Sequence, residues 1–339
     1  MTKPDFRELF LKLTEYTIPK GKEQTLEPLL PPGYKKDSVG NYYYQIGDSE
    51  TLFTTHLDTY CQEYTKVNHV FEDDKYKIHT DESTILGGDN KLGVTILISM
   101  IGDNIPGAYY FFLGEEPLKN GGMWGSRNAL SKNPEFFKDF KRCIAFDRRR
   151  YGSIVTRQLA RTCCSQEFAS EIAEHWSKVV KWDKPSNFGY YTDSAAFIDV
   201  IPECTNISAG GFDEHYKTEW VNLNYTYAVY QLAKSINWEN LPVVRELEDR
   251  FVTSDDSGIN AYTRFIQNRN YKEIDALFDA LEITKTRDSY AGGKRHLTYS
   301  KWLEESDTDV ILDGRDILLN GKKSSINEII TYLCDNFKD

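Results

Sequence analysis

The sequence has no long apolar run, and this absence excludes a helix that crosses a membrane. No stretch approaches the roughly 18 apolar residues that such a helix needs, and no apolar signal core follows Met1–Asp5. Positive charge is also scarce, because 41 Lys and Arg stand against 52 Asp and Glu, a net charge of -11. Nucleic-acid binding needs a basic surface, so this balance argues against a nucleic-acid partner.

Cysteine is sparse as well: the six cysteines lie at positions 61, 143, 163, 164, 204 and 334 and form no Cys-x-x-Cys pair. A disulfide between the adjacent Cys163 and Cys164 would be strained. We therefore expect free thiols in a reducing compartment, the cytoplasm. Aromatic side chains, by contrast, are abundant, with 22 Tyr and 18 Phe. This content is typical of a folded chain with a large core and not of a disordered one.

Apolar segments of strand length alternate with segments of helical period over the first two thirds of the chain. The main predictions are strands at 51–55, 108–113 and 143–146 and a helix at 91–101. Further predictions are a helix at 5–16, strands at 41–47 and 153–158, a hairpin at 70–80, and helices at 122–130, 166–179, 194–199 and 223–236. This alternation predicts an α/β fold: a three-layer αβα domain around a mainly parallel, mixed central sheet.

The pattern changes at about residue 240, where the chain becomes charged and irregular. We expect one large domain at 1–240, big enough to hold an active site, and a small α+β domain appended at 245–339. In the appended part we predict helices at 262–281 and 325–337 and a hairpin at 310–320. No motif in it indicates a role.

Residues able to bind metal ions stand at the ends of the predicted strands or in turns. They are His56, Asp89, Glu115, Glu116, Asp147 and His215. Each is uninformative alone, but the carboxyl ends of parallel strands meet at one edge of a sheet, which brings such residues together. Imidazole and carboxylate ligands suit zinc, and also cobalt or manganese.

A pair of metal ions needs a carboxylate that both can share. Asp89 lies between two glycines and the start of the predicted helix, a position that can supply the shared group. Glu115 and Glu116 follow a strand directly, so their side chains diverge. One can bind metal while the other faces a water molecule.

Four stretches resemble motifs of the co-catalytic, two-metal zinc exopeptidases, which include peptidase T, the bacterial leucyl aminopeptidases and the tetrahedral aminopeptidases. They are Thr55-His56-Leu57-Asp58-Thr59, the Leu86–Gly93 stretch LGGDNKLG, Gly114-Glu115-Glu116, and the Gly210–His215 stretch GGFDEH. Asp147 occupies the fifth position of the pattern, and Tyr191-Thr192-Asp193-Ser194-Ala195 resembles a turn found before the last histidine. The resemblance covers residues 1–238.

The resemblance implies two divalent metal ions, most simply zinc. One is held by His56, Asp89 and Asp147, and the other by Asp89, Glu116 and His215, with Asp89 as the bridge. It further implies that Asp58 orients His56. Glu115 is implied as the general base that takes a proton from a metal-bridged water and passes it to the leaving amine.

The chain also departs from the relatives. The stretches between the predicted ligands are too short for the dimerising lid of peptidase T and for the inserted domain of the tetrahedral enzymes. Asn90 stands where a second Asp is usual. Arg148, Tyr191 and Asp193 are candidates for binding substrate, although a loop, core or helix-cap role explains each of them too.

The expected activity is that of a metal-dependent aminopeptidase acting on small peptides. A carboxypeptidase, a dipeptidase or an N-acyl-amino-acid deacylase on the same scaffold is the alternative, because only the substrate pocket decides which end is held. An inactive binding protein that keeps the fold is a third reading. The sequence leaves side-chain specificity, the physiological metal and assembly into a homo-oligomer open.

Overall fold

The computed structural model describes residues 1–72, 75–116, 122–159, 161–176 and 191–247, with five short strands between 287 and 324. The chain divides into two compact units, Met1–Glu248 and Asp249–Asp339. None of the helices within the described ranges is long and apolar enough to cross a lipid bilayer.

The described helices of the first unit are α1 (Lys3–Leu13), α2 (Gly88–Gly102), α3 (Trp124–Lys132), α4 (Pro134–Lys138), α5 (Gln166–Trp176) and α6 (Leu223–Ser235). Short 3-10 helices cover Glu23–Leu29, Asp193–Phe197 and Trp238–Asn240. The strands are β1 (Lys35–Lys36), β2 (Tyr42–Ile46), β3 (Thr51–His56), β4 (His69–Phe71), β5 (Lys77–Thr80), β6 (Gly107–Phe112), β7 (Arg142–Arg148), β8 (Arg157–Gln158), β9 (Arg161–Thr162), β10 (Glu203–Ser208), β11 (Gly211–Phe212) and β12 (Trp220–Asn222).

The central sheet has the strand order β1-β2-β6-β3-β7-β10. Strands β6, β3, β7 and β10 are parallel to one another, whereas β2 pairs antiparallel with both β1 and β6. All residues of β3 and β6 are buried, as in strands that helices cover on both faces. The prediction of a mainly parallel, mixed sheet is confirmed.

Helices cover both faces of this sheet, which makes three layers. Along β3, Phe53 points into a core that includes residues of α1, α2, α5 and α6. Its neighbour Leu52 points into a second core with residues of α3, α4 and the short helix Asp193–Phe197. This alternation follows from the two-residue period of a strand and confirms the predicted αβα architecture.

Helix α2 crosses the middle of the domain and carries a site residue at its start. Asp89 and Asn90 have non-helical backbone angles, so the regular helix begins at Lys91, as predicted from the apolar pattern. The peptide bond between Asp89 and Asn90 is cis. From Lys91 to Ile101 every residue is buried, so the packing of α2 determines where Asp89 lies.

Gly93 is the point of closest approach between α2 and the sheet. A Cβ atom at this position would lie 2.5 Å from the carbonyl oxygen of Phe146 and 2.5 Å from Oδ1 of Asn90. We expect Gly93→Ala to destabilise the fold by about 1–3 kcal/mol, because α2 must move away from the β7 backbone at Phe146. Gly102→Ala is the matched control in the same helix, because no atom of another described element lies within 4 Å of its Cβ position. Urea unfolding of both variants checks this, and equal stabilities would contradict it.

A second, antiparallel sheet has the order β11-β12-β5-β4. The pairing of β4 with β5 confirms the hairpin predicted at 70–80, although its turn at 73–74 lies outside the described residues. This small sheet matters for the site because the chain between β11 and β12 carries His215.

Two local predictions were wrong in extent. The strand expected at 153–158 is limited to Arg157–Gln158, with Ile154 forming only an isolated bridge to Ile207. The helix expected at 194–199 is a 3-10 helix at Asp193–Phe197, which ends where two backbone N–H groups bond back to the Phe197 carbonyl. Helix α4 and strand β12 were not predicted, because both are too short for a periodic pattern.

In the second unit, the described strands are β13 (Arg287–Ala291), β14 (Lys294–Thr298), β15 (Val310–Asp313), β16 (Asp316–Leu319) and β17 (Lys322–Ser324). Strands β15 and β16 pair antiparallel, which confirms the hairpin predicted at 310–320. The helices predicted at 262–281 and 325–337 lie outside the described residues, and the domain limits of 240 and 245 remain predictions.

Asp103, the C-cap of α2, ties this helix to α6. Its carboxylate lies 2.7 Å from Nζ of Lys234 and accepts a hydrogen bond from the hydroxyl of Tyr230. Burial opposes the charged form, but Lys234, Tyr230 and the N-terminal amine outweigh it and lower the pKa of Asp103 to about 2.

This arrangement predicts a pH-dependent contribution to stability. The pKa of Asp103 is lower in the folded chain than its unfolded value of about 3.9. The contribution is therefore complete above about pH 5 and is lost as the pH falls toward 2. We expect Asp103→Asn to cost about 1 kcal/mol at pH 7, because water screens the exposed Lys234, and less at pH 3. Urea unfolding at both pH values measures the difference; a cost that does not depend on pH would contradict it.

Candidate active site

The predicted site residues meet at one edge of the central sheet. His56 ends β3, Glu115 and Glu116 follow β6, and Asp147 lies near the end of β7. These strands are parallel neighbours, so their carboxyl ends share this edge. Asp89 reaches it from the start of α2.

Asp147 is positioned by an irregularity in the sheet. The register of β10 against β7 shifts between Asn206 and Ser208. At this bulge the backbone N–H of Asp147 donates a 2.9 Å hydrogen bond to Oδ1 of Asn206. A bulge re-aims the residues beside it, and here it sets the direction of the Asp147 carboxylate.

His215 comes from the segment between β11 and β12 and has a φ of +71°. A positive φ is uncommon outside glycine and is maintained only where the surroundings enforce it. The imidazole is stacked on the ring of Tyr60, with the ring centroids 4.4 Å apart. Backbone and ring contacts together aim this histidine at the carboxylates.

Asp89 lies between two imidazoles. Its Oδ1 is 3.1 Å from Nε2 of His56, and its Oδ2 is 3.1 Å from Nε2 of His215. Each carboxylate oxygen thus faces a different histidine. This is the arrangement expected of a carboxylate that two cations share.

Two sets of ligand atoms follow from this geometry. On one side, Nε2 of His56 also lies 3.6 Å from Oδ1 of Asp147. On the other, Nε2 of His215 also lies 3.1 Å from Oε1 of Glu116. Ligand atoms around a tetrahedral zinc ion, at about 2.1 Å from the metal, are about 3.4 Å from one another, so these separations fit a metal ion in each set.

Further observations support this fit. The ligand atoms of His56 and Glu116, one from each set, lie within 4.8 Å of each other and of the shared Asp89, so the two sets adjoin. Oδ1 of Asp147 is buried and, among the described residues, has no hydrogen-bond partner. A buried carboxylate oxygen of this kind is costly unless a cation binds to it.

Asp58 connects His56 to the two glutamates. Its Oδ1 lies 3.3 Å from Nδ1 of His56 and accepts a 3.0 Å hydrogen bond from the backbone N–H of Glu115. Its Oδ2 accepts a 3.0 Å bond from the N–H of Glu116. Burial would raise the pKa of Asp58, but these partners outweigh burial and hold it below its ordinary value. Asp58 can therefore orient His56 and both glutamates at once.

Glu115 stands apart from the two sets of ligands. Its Oε2 is 3.8 Å from Nε2 of His56, which is beyond hydrogen-bond distance. Burial raises the pKa of Glu115 well above its ordinary value, and the charges of Glu116, Asp147 and Asp193 add to the effect. A carboxylate in this setting is a stronger base than one in water.

Negative charge dominates the site. The buried or nearly buried carboxylates are Asp58, Asp89, Glu115, Glu116, Asp147 and Asp193. The buried Lys91 lies close by, but its Nζ donates to the carbonyl oxygen of Asp58 and to Oγ1 of Thr59. Burial keeps the pKa of Asp147 and Glu116 above the ordinary range, so the cluster is costly without bound cations.

The three residues predicted to bind substrate lie near this centre. Arg148, the last residue of β7, lines a small cavity together with Asp89 and Asp147. Tyr191 is close to Gly122, where a Cβ atom would lie 2.9 Å from the tyrosine hydroxyl. Asp193 is the first residue of its 3-10 helix, whereas Thr192 is the N-cap. Burial raises the pKa of Asp193 to about 8.

Glu219 is a residue that the sequence analysis missed. It is buried, and its two oxygens accept hydrogen bonds from the backbone N–H groups of Leu86, Gly87 and Asp89. The available signal was a glutamate at the start of an apolar strand, where a charged residue is out of place. That signal alone is weak, because glutamates often flank strands.

Comparisons with known proteins were made on sequence and on structure. No family model and no curated protein matches the sequence. Among solved structures, a tripeptidase from Staphylococcus aureus has a TM-score of 0.56 at 14% identity, covering 69% of this chain and 97% of the other. Aminopeptidase PepT from Bacillus cereus has a TM-score of 0.54 at 14% identity, with coverage of 69% and 97%.

An aminopeptidase from the archaeon Desulfurococcus kamchatkensis has a TM-score of 0.51 at 13% identity and covers 74% of this chain and 99% of the other. Identities this low establish a shared fold and leave activity open. This chain therefore shares the αβα fold of these solved peptidases, as its motifs predicted.

Proposed function

We propose that this chain is a two-metal aminopeptidase that removes N-terminal residues from small peptides. The observation that carries the proposal is Asp89, whose two oxygens each face a separate imidazole. Solved structures that share the fold include a tripeptidase and aminopeptidases, and this likeness supports a peptidase.

In this proposal, His56, Asp89 and Asp147 hold one metal ion, and Asp89, Glu116 and His215 hold the other. Zinc suits this set of nitrogen and oxygen ligands, and cobalt or manganese are alternatives. Such ions, when bound, polarise the scissile carbonyl group and make water more acidic. Asp58 orients His56 and so fixes which ring nitrogen faces the ligand set.

Glu115 is the proposed general base. It accepts a proton from the attacking water and then donates that proton to the nitrogen of the leaving amine. Its raised pKa, caused first by burial, supports both steps, because the group must hold the proton between them.

One observation favours an alternative in which the substrate's carboxylate is held. Arg148 and Arg149 both line the small cavity beside Asp89 and Asp147. A guanidinium group suits a carboxylate well. A carboxypeptidase, a dipeptidase or an N-acyl-amino-acid deacylase would use the same centre with such a contact.

The test is cleavage of a mixed pool of free, N-acetylated and C-amidated peptides, followed by mass spectrometry with and without EDTA. An aminopeptidase trims free and C-amidated peptides from the N-terminus, spares N-acetylated ones and stops in EDTA. If only the C-amidated peptides stay uncleaved, the alternative that binds the substrate's carboxylate is selected. An intact pool under zinc, cobalt and manganese would overturn the proposal and favour an inactive binding protein.

A further inference from the structure

Glu219 links the two chain segments that carry Asp89 and His215. It lies four residues after His215, directly before β12. Its Oε2 accepts hydrogen bonds of 3.0 and 2.8 Å from the backbone N–H groups of Leu86 and Gly87. Its Oε1 accepts a 3.0 Å bond from the N–H of Asp89. Both oxygens of this buried carboxylate are therefore engaged with the turn that presents Asp89.

The backbone of that turn is irregular. Gly87 has a φ of +78°, and Asp89 and Asn90 are not helical. Buried backbone N–H groups need acceptors, and Glu219 supplies them for three residues of this turn. The fit is close, since a Cβ atom on Gly88 would lie 3.0 Å from Oε1 of Glu219 and 2.5 Å from Cγ1 of Val221.

We propose that Glu219 is a positioning residue that sets the Asp89 carboxylate between His56 and His215. The inference rests on the proposed function, because it assumes that Asp89 bridges two cations. The three hydrogen bonds that Glu219 accepts from this turn all come from backbone N–H groups. Glu219 acts through the backbone of Asp89 and through the short connection to His215. It thereby keeps constant the distance between these two ligands of the second metal ion.

The chain offers a matched control in Glu203. This glutamate is also buried, and it accepts bonds from the backbone N–H groups of Ser165, Val244 and Arg245. It begins β10, whereas the site lies at the strand's other end. Glu203→Gln thus removes a buried, backbone-binding carboxylate without touching the turn of Asp89.

The experiment is calorimetric titration of zinc into four metal-free proteins: the wild type, Glu219→Gln, Glu219→Asp and Glu203→Gln. Thermal unfolding, kcat and KM are measured on the same proteins after zinc loading. Glutamine places an N–H₂ donor against N–H donors, so Glu219→Gln is expected to lower the affinity for at least one zinc ion by about 10–100-fold. Its kcat should fall while KM stays near the wild-type value, because the substrate pocket is unchanged. Glu203→Gln should bind zinc as the wild type does, whatever it loses in thermal stability.

Wild-type zinc affinity in both Glu219 variants would overturn the inference and leave the proposed function intact. An equal loss in Glu203→Gln would also overturn it, because the effect would then be general destabilisation. If Glu219→Gln does not fold, Glu219→Asp provides the test, because it keeps the negative charge on a side chain that is one methylene shorter. A wild type that binds no zinc would overturn the proposed function and this inference together.

Discussion

Replacing Glu115 with glutamine is expected to lower kcat/KM for peptides by about 10²–10⁴-fold while two metal ions stay bound. Glutamine keeps the size of the side chain but cannot accept the proton from water. The carboxylate does not contact the ligand nitrogens closely: its Oε2 is 3.8 Å from Nε2 of His56. Removing its charge therefore changes the proton transfer and leaves both sets of ligands in place.

The measurement combines peptide cleavage with metal content by mass spectrometry on the same preparation. The matched control is Glu23→Gln, since Glu23 is also buried and accepts a hydrogen bond from the N–H of Gly114, one residue before Glu115. That variant should keep most of the activity. Full activity of Glu115→Gln would show that Glu115 is not the general base. Loss of metal from this variant would show that Glu115 is a ligand and not a base.

Asp89→Asn is expected to release both metal ions and to lower activity by more than about a thousandfold. An amide has only one oxygen, so it cannot bind both the ion beside His56 and the ion beside His215. Each ion contributes several kcal/mol to the transition state, and every 1.36 kcal/mol corresponds to a factor of ten in rate.

Asp147→Asn is the comparator for this prediction. Asp147 faces His56, with 3.6 Å between Oδ1 and Nε2, and belongs to only one of the two ligand sets. Its replacement should reduce the bound metal from two ions to one. Zinc titration of the two variants distinguishes a shared ligand from a ligand of one ion, and two ions bound to Asp89→Asn would contradict the bridging role.

Local patterns predicted most of the framework that positions the site. The strands predicted at 51–55, 108–113 and 143–146 correspond to β3, β6 and β7. A parallel strand that is covered on both faces is largely free of charged residues, so its end is visible where the first ionisable residue appears. For this reason the sequence alone places His56, Glu115 and Asp147 at one edge of the sheet.

Short or irregular elements were less predictable. The 3-10 helix at Asp193–Phe197 and the strand Trp220–Asn222 span too few residues for a period to emerge. Their conformations depend on contacts with the sheet and with α3. Burial of Lys91 was also unexpected, because a lysine is rarely enclosed unless neighbouring acidic groups and hydrogen-bond acceptors surround it.

The sequence by itself determined the order of strands and helices and the identity of the residues at the strand ends, because period and polarity are local properties of the chain. Tertiary structure alone decided that the two oxygens of Asp89 face different histidines and that Glu219 holds the turn of Asp89. Glu219 and its backbone partners are 130 to 133 residues apart in the chain. Every non-proline residue carries the same backbone N–H, so no residue pattern marks such a partner, and only the folded chain brings the two together.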